Sequence, residues 1–211
     1  MVTGSATRTR AVLSVRLLVL AVGVFLMIVP FLFMVSTSFK PNALVLEIPP
    51  KLIPHHATTA NYTGAWTSNK FGRYFLNSLG VAIATTFFSL WLSSMMAYAF
   101  ARFSFPGRRI LFGLLLIGLM VPTMMLLIPQ FILAKNLGML DSLSGLVFFY
   151  TGGTLALNTF LLRSFFQDIP RELEEAMIVD GAGPWKRYLQ LVLPLSRPAL
   201  ATVAIFTFLA S

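Results

Sequence analysis

Charged residues are scarce in this chain of 211 residues: they make up 11% of it, against about 25% in a typical soluble domain. The hydrophobic share is 57%, and the mean hydropathy is +0.81. These values exclude an ordinary water-soluble fold and intrinsic disorder. Cysteine is absent, which excludes a disulfide framework and a cysteine-ligated metal site. The two histidines, His55 and His56, are adjacent and lack a nearby acidic partner, so we predict no metal site.

The few charges divide the chain into long uncharged runs. A transmembrane helix needs about 20 apolar residues, whereas barrel strands alternate over segments of about 10. We therefore predict an all-α, polytopic membrane protein with spans at about residues 17–39, 74–101, 110–134 and 142–162. The first run exceeds the apolar segment of a secretory signal, so it is predicted to remain as an uncleaved span. A fifth run, 198–211, predicts an incomplete span, since it would reach only about 21 Å as a helix.

The basic residues indicate the orientation of these spans. Segments on one side hold eleven lysines and arginines, and those on the other side hold five. Because positive residues favour the cytoplasmic side, we predict a cytoplasmic N-terminus at 1–16, an external loop at 40–73 and a cytoplasmic loop at 168–197. The net charge of +9 is thus a sign of topology, and we expect no nucleic-acid partner.

The second span carries small side chains at every fourth position. Such a stripe favours close packing against another helix, either of this chain or of a partner. In the external loop, Tyr62 and Trp66 would share a helix face, where they either anchor the membrane surface or contact an external partner. The stripe consists of Thr85, Ser89, Ser93, Ala97 and Ala101.

The third and fourth spans contain helix-weakening and polar residues. Pro122 and Pro129 each remove a backbone hydrogen bond and can kink the third span. Two adjacent glycines in the fourth span favour either close helix packing or an irregular backbone beside a translocation path. No charged residue lies deep in a complete span, which argues against an ion-coupled carrier. The candidate path residues are Pro122, Tyr150, Gly152, Gly153 and Asn158.

The loop at 168–197 has the pattern of two short helices joined by a tight turn. Pro170 suits the first turn of a helix, and the acids that follow it are stabilised by the helix dipole. Gly181 can end this helix with a positive φ, after which Pro184 begins a second helix. The acids are Glu172, Glu174 and Glu175. Acids on one arm and bases on the other predict an element that docks on a soluble partner.

Two segments of this loop resemble the EAA loop of ABC importer permeases. They read E-E-A-M-I-V-D-G-A at 174–182 and L-V-L-P-L-S-R-P at 191–198, with matching spacing. Met177 departs from the pattern, which has a second alanine there. Further stretches resemble the carbohydrate-type subfamily, near the second permease subunit of maltose and glycerol-phosphate importers. These stretches are Asn77-Ser78, 97–109, Val121-Pro122 and Ile128-Pro129.

The resemblance implies a type I ABC importer permease fold with six spans, of which this chain supplies four and part of a fifth. It implies a non-enzymatic subunit of the cell membrane that forms, with a second permease, the path for a small polar solute, most simply a sugar. Two cytoplasmic ATPase subunits would bind ATP and Mg²⁺, and an extracytoplasmic protein would deliver the solute. The ATPase-coupling residues would be Glu174, Glu175, Ala176, Asp180, Gly181 and Ala182. The alternatives are a secondary, ion-coupled transporter and a non-transporting membrane assembly subunit.

Overall fold

The computed structural model describes the backbone of residues 3–54, 56–68 and 70–211, and side chains within these ranges from Val12 onward, apart from Ser68. His55, one of the two histidines considered above, lies outside the described residues. The described part of the chain is helical and contains no strand. It forms two compact units, Met1–Arg73 and Tyr74–Ser211.

The first unit begins with the long helix α1, Thr3–Ser38. Its apolar part, Val12–Ser38, is long enough to cross a membrane, and almost all of its side chains are exposed. This exposure suits a helix that is surrounded by lipid, where apolar side chains need no protein partner. The helix covers the predicted span and starts earlier than the sequence pattern indicated.

The segment after α1 is an ordered loop that ends in a short helix, α2, Ala60–Ser68. Asn61 holds the loop together, because its side-chain amide donates hydrogen bonds to the carbonyl oxygens of Ser38 and Lys40, at 2.9 and 2.7 Å. Tyr62 packs on Phe39 and shares a hydrogen bond of 2.6 Å with Ser38. Tyr62 and Trp66, which the sequence predicts to share a helix face, both lie in α2.

The second unit is organised around helix α3, Phe71–Arg102. The stripe of small residues predicted on this helix is fully buried, from Thr85 to Ala101. It packs within this chain, which resolves the open question of its partner: Ser89 bonds to Thr154, and Ala97 and Ala101 belong to a cluster with Leu162. Small side chains allow this close approach between helices.

The predicted third span at 110–134 is not one straight helix. Helix α4, Arg108–Met120, is followed by a 3₁₀ turn, Thr123–Leu126, and helix α5, Leu127–Asn136, with a bend of 97° between the two arms. Pro122 causes the break, because a proline forces the residue before it into extended backbone. Pro129 does not break the helix, because it lies in the first turn of α5, where no helical hydrogen bond is lost.

Helix α6, Leu143–Asp168, continues six residues past the predicted end of the fourth span. Ser142 caps it, because its hydroxyl accepts a hydrogen bond of 3.1 Å from the amide of Gly145. Gly145 must be glycine, since a Cβ there would lie 2.4 Å from the carbonyl oxygen of Met139. The helix runs without interruption through Gly152 and Gly153, so the irregular backbone considered for these glycines does not occur.

The last part of the chain consists of short helices and one longer one. They are α7 (Arg171–Val179), α8 (Pro184–Arg187), a π-helical turn (Tyr188–Val192), α9 (Leu193–Leu195) and α10 (Arg197–Ala210). A buried cluster joins them to α3 and α6 through Tyr98, Phe166, Val192 and Val203. The loop at 168–197 therefore shares one hydrophobic core with the helices.

Three helices of the described residues are long and apolar enough to cross a membrane. Each of two bent pairs, α4 with α5 and Pro184–Leu195 with α10, adds one if it forms a single broken span. The span boundaries remain a prediction from length and composition.

Candidate functional site

Helix α7 is ended by a glycine turn of defined geometry. Its N-cap is Pro170, so the helix begins one residue later than predicted. Gly181 has φ +76°, as expected, and the amides of Gly181 and Ala182 donate hydrogen bonds to the carbonyls of Ile178 and Met177, at 2.9 and 2.8 Å. This pair of bonds is a Schellman motif, which requires a left-handed residue at the position of Gly181.

Helix α8 begins at Pro184, as predicted, and is held against α3 through tyrosines. The hydroxyl of Tyr188 shares a hydrogen bond of 2.6 Å with the buried Ser94, and the Tyr188 ring lies 5.2 Å from the ring of Tyr98. Tyr98 in turn donates to the carbonyl of Pro184 at 3.4 Å. Next to these contacts is an apolar cavity of about 290 Å³, against which the exposed Trp185 lies.

A buried ion-pair cluster connects α7 to both α3 and α8. We use this name for Arg102, Glu174 and Arg187. A carboxylate oxygen of Glu174 lies 2.8 Å from Nε of Arg102, and the other lies 3.9 Å from Nη1 of Arg187. The side chain of Arg102 is only 5% exposed, that of Glu174 9% and that of Arg187 13%. Arg102 also donates a hydrogen bond of 2.7 Å to the carbonyl of Ile169, just before α7.

The cluster separates the predicted coupling residues into two groups. Glu174 points inward and forms ion pairs with Arg102 and Arg187 of the same chain. Ala182 is also buried. Glu175, Ala176, Asp180 and Gly181 are exposed. Apolar side chains lie exposed beside them, namely Leu173, Ile178, Val179 and Trp185. The exposed residues at the end of α7 are therefore acidic and apolar, and the exposed Arg171 and Lys186 lie on either side of them in the sequence.

The sequence reasoning missed Arg102 and Arg187 as partners of Glu174. Arg102 is visible in the sequence as the charge that ends an apolar span, and Arg187 as part of a basic arm. Nothing in the sequence indicates that these two arginines form ion pairs with Glu174 and not with Glu172 or Glu175. Tyr98, Tyr188 and Ser94 were missed for the same reason, because their contacts join distant parts of the chain.

A membrane hydrogen-bond cluster joins α3, α6 and α10. We use this name for Ser89, Thr154, Asn158 and Thr207. The amide of Asn158 donates to the hydroxyls of Ser89 and Thr207, both at 2.9 Å, and Ser89 and Thr154 share a bond of 2.6 Å. Asn158 is only 4% exposed. In this structure it connects three helices.

The other candidate path residues have a different environment. Tyr150 is exposed on α6, and a Cβ at Gly152 or Gly153 would meet no atom within 4 Å. The close packing considered for these glycines is therefore not made within the described part of this chain. Pro122 lies exposed at the bend between α4 and α5. Within the described ranges, no three or more histidine, aspartate or glutamate side chains are grouped so that they could hold a metal ion.

Residues 89–211 match the family described as binding-protein-dependent transport system inner membrane component. The chain belongs to this family. The matched residues include the membrane hydrogen-bond cluster, the ion-pair cluster and the loop at 168–197. The chain is therefore a multi-pass membrane permease subunit of an ABC importer, a transport component and not an enzyme. This membership disfavours the ion-coupled carrier and the non-transporting assembly subunit.

Two relatives are similar over most of this permease. The diacetylchitobiose uptake system permease protein of Streptomyces coelicolor is 40% identical over 205 residues, covering 97% of this chain and 67% of the relative. The trehalose transport system permease protein of Mycobacterium tuberculosis is 37% identical over 182 residues, covering 86% of this chain and 66% of the relative. The permease chain thus spans about two thirds of the length of these relatives.

The fold of the permease also matches a solved structure. A chain in the crystal structure of a bacterial ABC transporter involved in the import of the acidic polysaccharide alginate aligns with a TM-score of 0.79. The alignment covers all of this chain and 73% of the other, at 23% identity. The ABC importer permease fold expected from the sequence is confirmed.

Proposed function

We propose that this permease imports a sugar or oligosaccharide and that the outer surface of its loop at 168–197 docks on a cytoplasmic ATPase. The solute class is supported by the two relatives above, both of which are named for disaccharide transport. The orientation is supported by the excess of arginine and lysine on the side of this loop. The N-terminus would then lie in the cytoplasm.

The proposed partners are a second permease, two ATPase subunits and an extracytoplasmic solute-binding protein. ATP and Mg²⁺ would bind to the ATPase subunits, and this sequence has no G-x-x-x-x-G-K-[ST] loop of its own. Closure of the ATPase dimer would move the docked loop, and the loop would move the spans.

The observation that carries this mechanism is the division of α7 into two faces. Glu174 on the inner face is paired with Arg102, at the end of α3, while Glu175 on the outer face is exposed. A force applied at Glu175 would reach α3 through a contact that is buried and short. We propose Glu175 and Asp180 as docking residues that meet basic or polar groups of the ATPase, and Glu174 as a positioning residue.

The path for the solute is proposed to run along the exposed side of α6. Tyr150 supplies a hydroxyl and an aromatic face there, and the two glycines leave space beside the backbone. These groups suit a neutral polyhydroxylated solute, which binds through hydrogen bonds and stacking on an aromatic ring. Asn158 would support the path from behind by fixing α6 to α3 and α10.

Purification tests the assembly. We expect an ATPase subunit and a second multi-span protein to copurify with the permease when it is extracted from its own membranes in mild detergent. The purified complex should hydrolyse ATP. A permease that purifies alone from intact membranes, without ATPase activity, would contradict the proposal.

Charge reversal at the exposed acid tests the docking surface. Glu175→Lys is expected to abolish ATP-driven uptake in vesicles containing the whole complex, because it places a positive charge against the proposed basic partner. Membrane insertion should be unchanged. Asp141→Lys is the matched control, since it makes the same charge change at an exposed acid outside the loop at 168–197. Normal uptake by Glu175→Lys would remove Glu175 from the mechanism.

A further inference from the structure

A second basic region lies apart from the ion-pair cluster, at the turn between α3 and α4. It is a cavity of about 680 Å³ next to the end of α6. Three arginines line it, Arg108 and Arg109 from the start of α4 and Arg163 from α6. The remaining lining residues are Ser104, Phe105, Gly107, Ile110 and Phe112.

Two of these arginines are held in place by the fold. Nε of Arg163 donates a hydrogen bond of 3.3 Å to the carbonyl of Phe100, and its guanidinium lies 4.2 Å from the ring centroid of Phe112. Nη1 of Arg108 donates to the carbonyl of Phe103 at 3.1 Å. Both contacts use only part of the donor capacity of a guanidinium, which has five N–H groups. Donors therefore remain for a ligand.

None of the three arginines forms an ion pair within the described part of the chain. The ion pairs formed there involve Lys51, Arg102 and Arg187, and none involves an arginine of this cavity. Like charges around one cavity repel each other, and an anion between them would relieve that repulsion. Arginine is also suited to phosphate, because its planar fork makes two parallel hydrogen bonds to phosphate oxygens.

The apolar surface beside the cavity indicates which anion fits. Ile110 lines the cavity, Leu114 and Ile117 follow it along α4 at helical spacing, and all three are exposed. A surface with arginines at one end and an exposed apolar stripe below matches a molecule with an anionic head and apolar tails. A free phosphate ion would use only the arginines.

We propose that this cavity binds the phosphate headgroup of an anionic phospholipid, with its acyl chains along the apolar stripe of α4. Arg102 joins the end of α3 to α7, so the cavity lies on the same side of the membrane as the loop at 168–197. The assignment of the lipid to the cytoplasmic leaflet rests on the proposed orientation. The binding itself does not depend on transport or on the ATPase.

Lipid retention by the purified complex tests the site. The complex is delipidated in mild detergent and incubated with phosphatidylglycerol or with phosphatidylcholine, and bound lipids are counted by native mass spectrometry. Phosphatidylglycerol is expected to bind and phosphatidylcholine is not. Arg109→Gln, at an exposed position that the fold does not need, should weaken phosphatidylglycerol binding about fivefold, and adding Arg163→Gln should weaken it about fivefold again.

Matched controls and competitors separate the alternatives. Arg197→Gln removes an exposed arginine from the start of α10, outside the cavity, and should leave binding unchanged. Equal loss with Arg197→Gln, or equal binding of the two lipids, would overturn the proposal. Displacement of the lipid by millimolar inorganic phosphate would reassign the cavity to a free anion. Binding that appears only after the partner subunits are removed would reassign it to an acidic segment of a partner.

Discussion

Two clusters connect α3 to the rest of the second unit, one through neutral hydrogen bonds and the other through ion pairs. The membrane hydrogen-bond cluster, around Asn158, consists of neutral groups in the middle of the helices. The buried ion-pair cluster, around Glu174, consists of charges where α3 ends and α7 begins. Neutral groups can satisfy one another inside a bilayer at low cost, whereas charges there are expensive. On the predicted span boundaries, the ion-pair cluster lies where α3 leaves the membrane.

The difference also concerns what each cluster connects. The membrane cluster joins helices to helices, and its loss would loosen a bundle that has other contacts. The ion-pair cluster joins a membrane helix to the loop that we propose as the docking element. Breaking it leaves a buried charge without a partner, which costs about 3–5 kcal/mol. We therefore expect the ion pairs to matter more for stability and for coupling.

The largest effect is expected at the ion-pair cluster. Arg102→Met and Glu174→Met should each lower the free energy of unfolding by about 3–5 kcal/mol, because each leaves its partner charge buried. The double variant should lose less than the sum, since it removes both charges of the shorter pair and leaves only Arg187 of the cluster. Thermal unfolding in detergent measures the cycle, and the ratio of solute imported to ATP hydrolysed should fall in each variant that folds. Strictly additive losses would mean that the two residues do not interact.

A smaller effect is expected at the turn that follows α7. Gly181→Val forces a β-branched residue to φ +76°, at a cost of about 1–3 kcal/mol. We expect ATP hydrolysis to continue while uptake falls, because the bend of the docking loop is lost although the ion pairs remain. Gly183→Val is the matched control, since Gly183 has an ordinary φ of −68° in the same turn. Wild-type uptake by Gly181→Val would show that no left-handed residue is needed.

The effect expected at the membrane cluster is smaller still. Asn158→Leu removes two hydrogen bonds between helices, each worth about 0.6 kcal/mol on average in a membrane protein. The midpoint of thermal unfolding should fall, while solute affinity in the uptake assay stays unchanged. A change in solute specificity with unchanged stability would instead place Asn158 in the path. The membrane hydrogen-bond cluster would then belong to the solute path and could not be compared with the ion-pair cluster as a purely structural contact.

The smallest effect on the fold is expected at Tyr150. Tyr150→Phe removes an exposed hydroxyl, so the unfolding midpoint should not change. Solute affinity should fall by up to about tenfold, which corresponds to one hydrogen bond of about 0.5–1.5 kcal/mol. Unchanged affinity in both Tyr150→Phe and Asn158→Leu would show that the path lies elsewhere.

The parts of the fold that depend on local sequence were predictable. Long apolar runs produced helices near the expected positions, and the Gly181 turn followed from a residue that can adopt a positive φ. The distinction between Pro122 and Pro129 was not predictable, because it depends on where a new helix begins. Gly152 and Gly153 stay helical since the twenty-six residues of α6 supply the hydrogen bonds on both sides.

The sequence predicted the docking loop of the candidate site, but it did not predict which charged residues of the site form ion pairs. The acids of α7 and the bases of α8 were visible, so a docking loop was expected. The choice of Glu174 as the buried acid depends on which face of α7 meets the end of α3, 72 residues earlier in the chain. Contacts of that separation arise from tertiary packing, which no local pattern specifies.

The open space at Gly152 and Gly153 has a practical consequence, because the 211 residues contain no cysteine. A cysteine introduced at either glycine would be the single thiol among them, and its Cβ would meet no neighbour. Replacing a helical glycine also removes a residue that disfavours helix. The native sequence thus offers a position for a fluorophore or spin label in the middle of α6 without any prior removal of thiols. Such a reporter would record whether water, lipid or solute reaches that point at each stage of the transport cycle.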